Sequence, residues 1–193
     1  HTEFLASLAS VDHGGPMMML ASEVLRVVPL TIHIPVNTVA DSISKQSIVT
    51  AARLLDASLK QYFGLPNPRI AITGLNPHAG ENGNIGREDQ DIIQPAITAL
   101  QQSGLTVSGP HPADTLFHEK ARNSYDAVLG MYHDQVLIPL KTLYFFGGVN
   151  ITLGLDFIRT SPDHGTSVDI DWSGTARPDR LIDAIPMSHK MAI

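Results

Sequence analysis

The sequence predicts an α/β protein in which helices cover both faces of a mixed, largely parallel sheet, a three-layer α/β/α arrangement. Strand-like and helix-like segments alternate from about residue 44 onward, the order that produces parallel strands joined by helices. Before them, residues 17–36 contain two β-type runs separated by a short polar turn, and such a hairpin adds antiparallel strands. The chain has 193 residues, of which 43% are hydrophobic, enough for a sizeable core.

Each element has its own local signal. The clearest helix is 41–64, where apolar residues recur every three or four positions, Ser42 or Ser44 stands near the start, and Gly64 ends it. Further strands are predicted at 70–72, 105–109, 125–133 and 146–153, the last followed by a long polar loop to residue 167. Further helices are predicted at 1–9, 87–104, 115–125 and 176–193, while 135–143 is helical or mixed.

Composition excludes several classes of protein and site. The net charge of −6 argues against a broad nucleic-acid interface, which needs a basic face. Because there is no cysteine, neither a disulfide framework nor a thiolate zinc site is possible, and a reducing, cytoplasmic location is expected. No apolar run approaches the roughly 18 residues of a membrane helix, so no membrane partner is expected.

Three histidines share one context, at or just past the carboxyl end of a predicted strand. They are His33 in LTIHIP, His78 in LNPHAGE and His133 in MYHDQ. Strand ends are where α/β proteins place their ligands, and three imidazoles can hold a divalent cation that acidifies a bound alcohol. The alternative is that each histidine is an ordinary loop or core residue, since their spacing matches no local metal motif.

A second set of residues suits an anionic ligand. Lys141, Asn150 and Arg159 lie in a segment otherwise poor in positive charge, and Arg offers a two-pronged donor to phosphate or carboxylate. The alternative is that the two cations are solvated surface residues. Candidates for proton transfer, which equally suit turn capping, are Asp114, Asp134, Asp163 and His164.

Several motifs resemble a known family. HTEFL, LTIHIPV, GLNPHAGENGNIGRED, GPHPADTLF, YHDQVLIPLK and VNITLGLDFIRTSPDHGTS occur in this order, and together they cover nearly the whole chain. They are similar to the motifs of 4-hydroxythreonine-4-phosphate dehydrogenases, which act in pyridoxal phosphate biosynthesis. The resemblance implies a fold like that of isocitrate and isopropylmalate dehydrogenases, with two α/β domains around a cleft.

The resemblance also implies an activity. The family oxidises 4-phosphohydroxy-L-threonine with NAD or NADP, and the keto acid loses CO2 to give 3-amino-2-oxopropyl phosphate. A divalent metal (Zn, Co, Mn or Mg) binds three histidines, which by motif are His33, His78 and His133. The family is a homodimer whose active site lies at the subunit interface, with ligands from both subunits.

By motif, the substrate-binding positions and candidate catalytic positions follow as well. Substrate binding is expected at His1, Thr2, Lys141, Asn150 and Arg159, and the candidates for catalysis are Lys141, Asp134 and Asp114. Family members extend further at the N-terminus, so we expect this chain to be a fragment without the first domain. Residues 1–175 would then form the metal- and substrate-binding domain, and helix 176–193 would pack on the absent domain.

Three other functions remain open at this point. A relative acting on another phosphorylated hydroxy acid, such as D-threonate or D-erythronate 4-phosphate, would use the same groups. The chain could also be a non-catalytic fragment that only binds metal and phosphate. A metal-dependent phosphatase or hydrolase is the third, and the lack of an Asp/Glu-rich cluster in the sequence argues against it.

Overall fold

A seven-stranded mixed sheet organises the chain. The structure is a computed structural model that describes residues 15–145, 147–162 and 179–192. The strands lie in the order β4-β3-β5-β2-β1-β6-β7. They are β1 (Met17–Ala21), β2 (Arg26–Thr31), β3 (Ile70–Thr73), β4 (Val107–His111), β5 (Ala127–Tyr132), β6 (Val149–Leu153) and β7 (Arg159–Pro162).

Six helices connect or cover these strands in the described residues. They are α1 (Val39–Ser42), α2 (Lys45–Phe63), α3 (Gln94–Gln102), α4 (Glu119–Arg122), α5 (His133–Leu143) and α6 (Asp179–Ala192). Short 3-10 turns occur at Val36–Thr38 and Ala113–Thr115, and a π turn at Asp89–Ile93 leads into α3. None of the described helices is long and apolar enough to cross a bilayer.

The sheet is parallel on one side and antiparallel on the other. Strands β4, β3, β5 and β2 run parallel, whereas β1, β6 and β7 continue the sheet in antiparallel pairs. Side chains alternate between the two faces, so that Met19 and Leu129 pack with α2 and α3 while Leu20 and Val128 pack with α5. The predicted fold class, with helices on both faces, is therefore confirmed.

The predicted hairpin and long helix are confirmed with adjusted ends. β1 and β2 pair antiparallel, and β2 ends at Thr31. The long helix begins at Lys45 because Ile43 is extended and Ser44 caps it, accepting a hydrogen bond from the Ser47 backbone N–H. Gly64 ends it in a left-handed conformation with φ of 65°. The preceding residues form the separate turn α1.

The prediction of a long polar loop after β6 is wrong for residues 159–162. These residues, RTSP, form strand β7, which pairs with β6 at the edge of the sheet. Backbone pairing at an edge needs no apolar side chains, and a proline is tolerated there because that N–H need not be paired. An edge strand of this composition carries no hydrophobic pattern from which it can be predicted.

The last helix is amphipathic, as the sequence predicts. In α6, Ala184 and Met191 are buried against the sheet, and the Thr160 hydroxyl donates to the Ala184 carbonyl at 3.0 Å. Three large apolar side chains on α6 are instead exposed, at 52–61%: Leu181, Ile182 and Ile185. The predicted first helix at 1–9 and residue Pro178 lie outside the described residues.

Candidate metal and anion site

Two of the three predicted metal ligands lie side by side at one edge of the sheet. His33 follows the end of β2 by two residues, and His133 directly follows β5 as the first residue of α5. Because β2 and β5 are parallel neighbours with Thr31 opposite Tyr132, their carboxyl ends coincide. The centroids of the two imidazole rings are 5.7 Å apart. The buried Thr31 hydroxyl, which donates to the Met131 carbonyl at 2.8 Å, ties the two strand ends together.

The His133 ring is oriented by its sequence neighbour. Its Nδ1 lies 2.6 Å from Oδ1 of Asp134, and the ring is about one-third exposed. A carboxylate on one ring nitrogen fixes the tautomer and leaves Nε2 as the nitrogen with a lone pair, the arrangement typical of metal-bound histidines. The chemistry of these donors therefore fits a divalent cation of the zinc or cobalt type.

His78 lies on a loop with an unusual backbone. Five consecutive residues, 78–82, have positive φ between 43° and 77°, which makes Pro77–Gly83 a left-handed turn. Four of them are not glycine, and each such residue costs roughly 1–2 kcal/mol relative to a right-handed conformation, with less for asparagine. The sequence predicts a glycine-rich loop here but gives no sign of this handedness.

The His78 ring also has a carboxylate partner. Its Nδ1 lies 2.5 Å from Oε1 of Glu81, one turn further along the loop. This hydrogen bond raises the pKa of His78 above its ordinary value, and the nearby charge of Asp114 acts in the same direction. The ring is 62% exposed. His78 thus has the same carboxylate–imidazole arrangement as His133, but it faces solvent.

The loop is fixed at its start by two side chains that the sequence analysis did not single out. Gln135 of α5 donates to the Gly74 carbonyl at 2.7 Å and accepts from the Thr73 hydroxyl and the Met131 N–H. Asp89, only 2% exposed, accepts from the backbone N–H groups of the two residues that follow Gly74. No local pattern marks these residues, because apart from Met131 their partners are 13 to 62 positions away.

The three histidines do not meet within one chain. Among the described residues, no three side chains of the His, Asp and Glu types are close enough to share a cation. His33 and His133 form a pair, and His78 stays separate from them. Two of the three candidate ligands therefore lie together, and the third does not complete a site with them in the described part of one chain.

Lys141 extends the histidine pair along α5. It lies two turns after His133, and both line a groove of about 400 Å³ together with Asp134, Ile138 and Phe145. The groove lining is mostly apolar, and its polar groups are the His133 imidazole, the Lys141 ammonium, the Thr142 hydroxyl and the Asp134 carboxylate. Such a site suits a small anionic molecule with a short carbon chain.

Asn150 and Arg159 lie on paired edge strands. Arg159 is opposite Thr152 in the β6–β7 pair and donates to its hydroxyl at 3.0 Å, and Asn150 is two residues before Thr152 on the same face. The Asn150 Oδ1 is buried and accepts no hydrogen bond from the described residues. A buried amide oxygen that accepts no hydrogen bond lowers the stability of the fold. Such an oxygen is suited to accept a hydrogen bond from a bound ligand.

The other predicted site residues divide into two groups. Asp114 is exposed in the turn after β4, close enough to His78 to affect its pKa. His1, Thr2, Asp163 and His164 lie outside the described residues, so the structure does not test them.

His111, which the sequence analysis did not select, is a partly buried histidine at the end of β4. Burial lowers the pKa of His111, which is hydrogen-bonded to Ser108 at 2.8 Å.

Comparison with known proteins gives a consistent result. The family described as "Pyridoxal phosphate biosynthetic protein PdxA" matches residues 1–188. The 4-hydroxythreonine-4-phosphate dehydrogenase of a Ruegeria species is 56% identical over 192 residues, covering 100% of this chain and 58% of that protein. The enzyme of the same name from Caulobacter vibrioides is 52% identical over 196 residues, covering 100% and 59%.

Solved structures agree. A 4-hydroxythreonine-4-phosphate dehydrogenase from Klebsiella pneumoniae superposes with a TM-score of 0.88 at 44% identity, covering 100% of this chain and 58% of that one. A terephthalate 1,2-cis-dihydrodiol dehydrogenase from Burkholderia xenovorans gives a TM-score of 0.79 at 30% identity, covering 98% and 60%. The chain spans a little more than half the length of the curated relatives that it matches. From the family match over residues 1–188, the chain belongs to the PdxA family of pyridoxal phosphate biosynthetic proteins.

Proposed function

We propose that this chain is the metal- and substrate-binding part of a 4-hydroxythreonine-4-phosphate dehydrogenase. The reaction oxidises the secondary alcohol of 4-phosphohydroxy-L-threonine: the carbinol carbon gives a hydride to NAD or NADP, and the hydroxyl group loses its proton. The carboxylate then leaves as CO2, and the enolate that remains takes up a proton at carbon, giving 3-amino-2-oxopropyl phosphate. The observation that carries the proposal is the His33–His133 pair, 5.7 Å apart, in a chain of the PdxA family.

The donor set supports a divalent metal, with zinc or cobalt favoured over manganese or magnesium by the imidazole ligands. When bound, the cation supplies positive charge that stabilises negative charge on the substrate oxygen through oxidation and loss of CO2. His33 and His133 would hold it from one chain. His78, which does not join them, would reach the centre of a second chain.

This division of ligands supports a homodimer whose active sites lie at the subunit interface. The surface around the paired histidines carries several exposed apolar side chains: Val36 is 75% exposed, Ile138 63% and Phe145 55%. A second copy placed there would cover these side chains and bring its own His78 loop to the pair. Such a dimer needs no nucleic acid or membrane partner, and we place it in the cytoplasm.

The remaining groups of the chain have separate tasks in this proposal. Lys141 and Arg159 hold the phosphate and carboxylate of the substrate, and Asn150 accepts a hydrogen bond from its ammonium or hydroxyl group. His1 and Thr2 are assigned to substrate binding by their motif alone. Lys141, Asp134 and Asp114 remain the candidates for proton transfer, although the bond from Asp134 to His133 favours an orienting role for Asp134.

The C-terminal helix fits the same proposal. In α6, Leu181, Ile182 and Ile185 form an exposed apolar stripe, while the opposite face packs on the sheet. We assign residues 1–175 to the metal- and substrate-binding domain. In a protein as long as the relatives, the stripe would pack on the further domain that residues 1–193 do not include.

A second substrate is the main alternative within this family. The Burkholderia xenovorans structure, 30% identical, is named for a dihydrodiol rather than a phosphorylated amino acid. D-threonate and D-erythronate 4-phosphate would use the same cationic groups. A non-catalytic fragment that only binds metal and phosphate is the second alternative. A metal-dependent phosphatase or hydrolase with a three-histidine centre is disfavoured by the family match.

The test is a substrate panel on the full-length natural protein. NAD and NADP reduction is measured with 4-phosphohydroxy-L-threonine, the two sugar-acid phosphates and a carboxylated cis-dihydrodiol, each with added Zn²⁺, Co²⁺, Mn²⁺ or Mg²⁺. We expect turnover with the first substrate, a loss of at least 100-fold in His133→Ala, and little change in His118→Ala, an exposed histidine at the start of α4. Turnover with another substrate alone would select the alternative, and full activity of His133→Ala would refute the metal centre.

A further inference from the structure

Asp89 is a buried carboxylate whose hydrogen-bond donors among the described residues belong to one short segment. It is 2% exposed and begins the π turn before α3. Its Oδ1 accepts from the Leu75 N–H at 2.8 Å, and its Oδ2 accepts from the Asn76 N–H at 3.1 Å and from the Asn76 side-chain amide at 3.0 Å. These donors directly precede the left-handed turn that carries His78.

The Asp89 carboxylate packs closely against two glycines. A Cβ added at Gly74 would lie 2.5 Å from the Asp89 Oδ1, and one added at Gly80 would lie 3.2 Å from its Oδ2. The carboxylate therefore lies between a residue before the His78 turn and a residue within it. An asparagine would place an amide N–H₂ against at least one of the three donors.

A neighbouring acidic residue also binds the segment before the turn. The Asn76 side chain donates at 2.8 Å to Glu88, so the segment before the turn is bound to two consecutive acidic residues. Within the turn, the Ile85 N–H bonds to the Gly80 carbonyl at 3.0 Å, and the Ala79 N–H bonds to the Asn76 carbonyl at 3.1 Å. Asp89 is the buried centre of these contacts.

We propose that Asp89 is a positioning residue for the metal centre: it holds the left-handed turn in the conformation that presents the His78 imidazole. The inference rests on the proposed role of His78 as a ligand. Without Asp89, the non-glycine residues of the turn relax toward right-handed or extended conformations. Metal binding then has to reorder the turn, and the binding free energy is weakened by the cost of that reordering.

The test uses the metal-free full-length protein and compares Asp89→Asn with Asp91→Asn. The second is the same substitution two residues later, at a side chain that is 48% exposed and paired with Arg87. Amide exchange is measured across residues 75–83 and across β3 and β5. Zn²⁺ affinity is measured by competition with a chromophoric chelator, and Co²⁺ coordination by its d–d spectrum.

In Asp89→Asn we expect at least tenfold faster exchange in residues 75–83, unchanged exchange in β3 and β5, and a 10- to 100-fold loss of Zn²⁺ affinity with an altered Co²⁺ spectrum. Asp91→Asn should leave both properties as in the wild type. If Asp89→Asn does not fold, Asn76→Ala, which removes only the side-chain bonds to Asp89 and Glu88, should shift both properties less in the same direction.

Two results would overturn the inference in different ways. Wild-type Zn²⁺ affinity in a variant with a loosened turn would remove the positioning role and leave the proposed function intact. Wild-type affinity in His78→Ala would show that His78 is not a ligand, which would refute the three-histidine centre and the role of Asp89 together.

Discussion

His33, His133 and His78 all follow strands of the parallel part of the sheet, but they are positioned by different physical means. His33 and His133 follow neighbouring parallel strands, and the β2–β5 register places their rings 5.7 Å apart. His78 lies five residues beyond β3, on a left-handed turn held by hydrogen bonds from side chains. Regular backbone pairing positions the first two, whereas a few polar side chains position the third.

The difference in energetic cost is large. The strand ends gain hydrogen bonds in forming the sheet, while the His78 turn carries several non-glycine residues at roughly 1–2 kcal/mol each. Three bonds to the Asp89 carboxylate, at about 1.5–3 kcal/mol each, are of the size needed to offset this. The His78 turn should therefore be more sensitive to substitution than the strand ends, and four changes test this contrast.

The largest effect is expected from Gln135→Met, because Gln135 joins the two regions. The substitution leaves the Thr73 hydroxyl, the Met131 N–H and the Gly74 carbonyl without their partner. We expect the free energy of unfolding to fall by about 3 kcal/mol, or roughly 6–12 °C in Tm, measured by urea and thermal denaturation. Gln102→Met, at an exposed position of α3, is the control. Equal stability of the two variants would show that Gln135 does not link the regions.

Gly74→Ala isolates the His78 turn. The added Cβ would lie 2.5 Å from the Asp89 Oδ1 and 2.9 Å from the Ala79 Cα, so the turn has to move. We expect the free energy of unfolding to fall by about 2 kcal/mol and amide exchange in residues 75–83 to become faster. Gly104→Ala adds a Cβ where nothing lies within 4 Å, at φ of 89°, and should cost only about 1 kcal/mol of backbone strain. Unchanged exchange in Gly74→Ala would contradict the close packing of Asp89 against the turn.

Asp126→Asn tests the parallel strands at their amino ends, opposite to the carboxyl ends that the histidines follow. Asp126 accepts three hydrogen bonds from Arg69, which hold the pKa of its carboxyl below the ordinary value and join the starts of β3 and β5. We expect the free energy of unfolding at pH 7 to fall by about 1–2 kcal/mol. The effect is limited because solvent screens the charge of the half-exposed Arg69. Zn²⁺ affinity should be unchanged.

The pH dependence of that loss follows from the lowered pKa. The stabilisation is fully present above the unfolded carboxyl pKa of about 4 and disappears as the pH falls through the lowered folded value. Denaturation at pH 7, 5 and 3 should therefore show the wild type approaching Asp126→Asn only in acid. A constant difference across this range would rule out the ion pair as its origin.

The smallest effect is expected from Ala79→Gly, and its sign is the informative part. Ala79 has φ of 51°, so glycine removes a left-handed penalty and should raise stability by about 0.5–1 kcal/mol. Ala99→Gly, in the right-handed helix α3, should instead lower stability by about 1 kcal/mol. Thermal denaturation of both variants decides the point, and a loss in Ala79→Gly would argue against the left-handed turn.

Much of the fold could be predicted because its signals are local. The α2 helix has a serine cap, a periodic apolar face and a terminal glycine, all within 20 residues or so. Strand β7 could not be predicted, since an edge strand of Arg, Thr, Ser and Pro has no apolar pattern. Strand ends correctly indicated where His33 and His133 lie, but their adjacency depends on a β2–β5 pairing between segments 100 residues apart.

The hydrogen bonds that position His78 were beyond sequence reasoning for the same physical reason. Asp89 and Gln135 act through partners far along the chain. Nothing in the sequence next to either residue distinguishes it from an ordinary solvent-exposed Asp or Gln. The left-handed turn is likewise a product of those contacts rather than of the residues 78–82 alone. Local sequence therefore predicts candidate ligands, whereas tertiary contacts determine how those side chains are held.

The position of β1 inside the sheet has a consequence for synthesis on the ribosome. β1 pairs with β2 a few residues away, but its other side pairs with β6, from Met17 opposite Leu153 to Ala21 opposite Val149. Until residue 153 has emerged, the five residues MMMLA present an open, apolar backbone edge to other nascent chains. Chaperone demand should therefore be greatest in the interval between the appearance of the hairpin and that of β6.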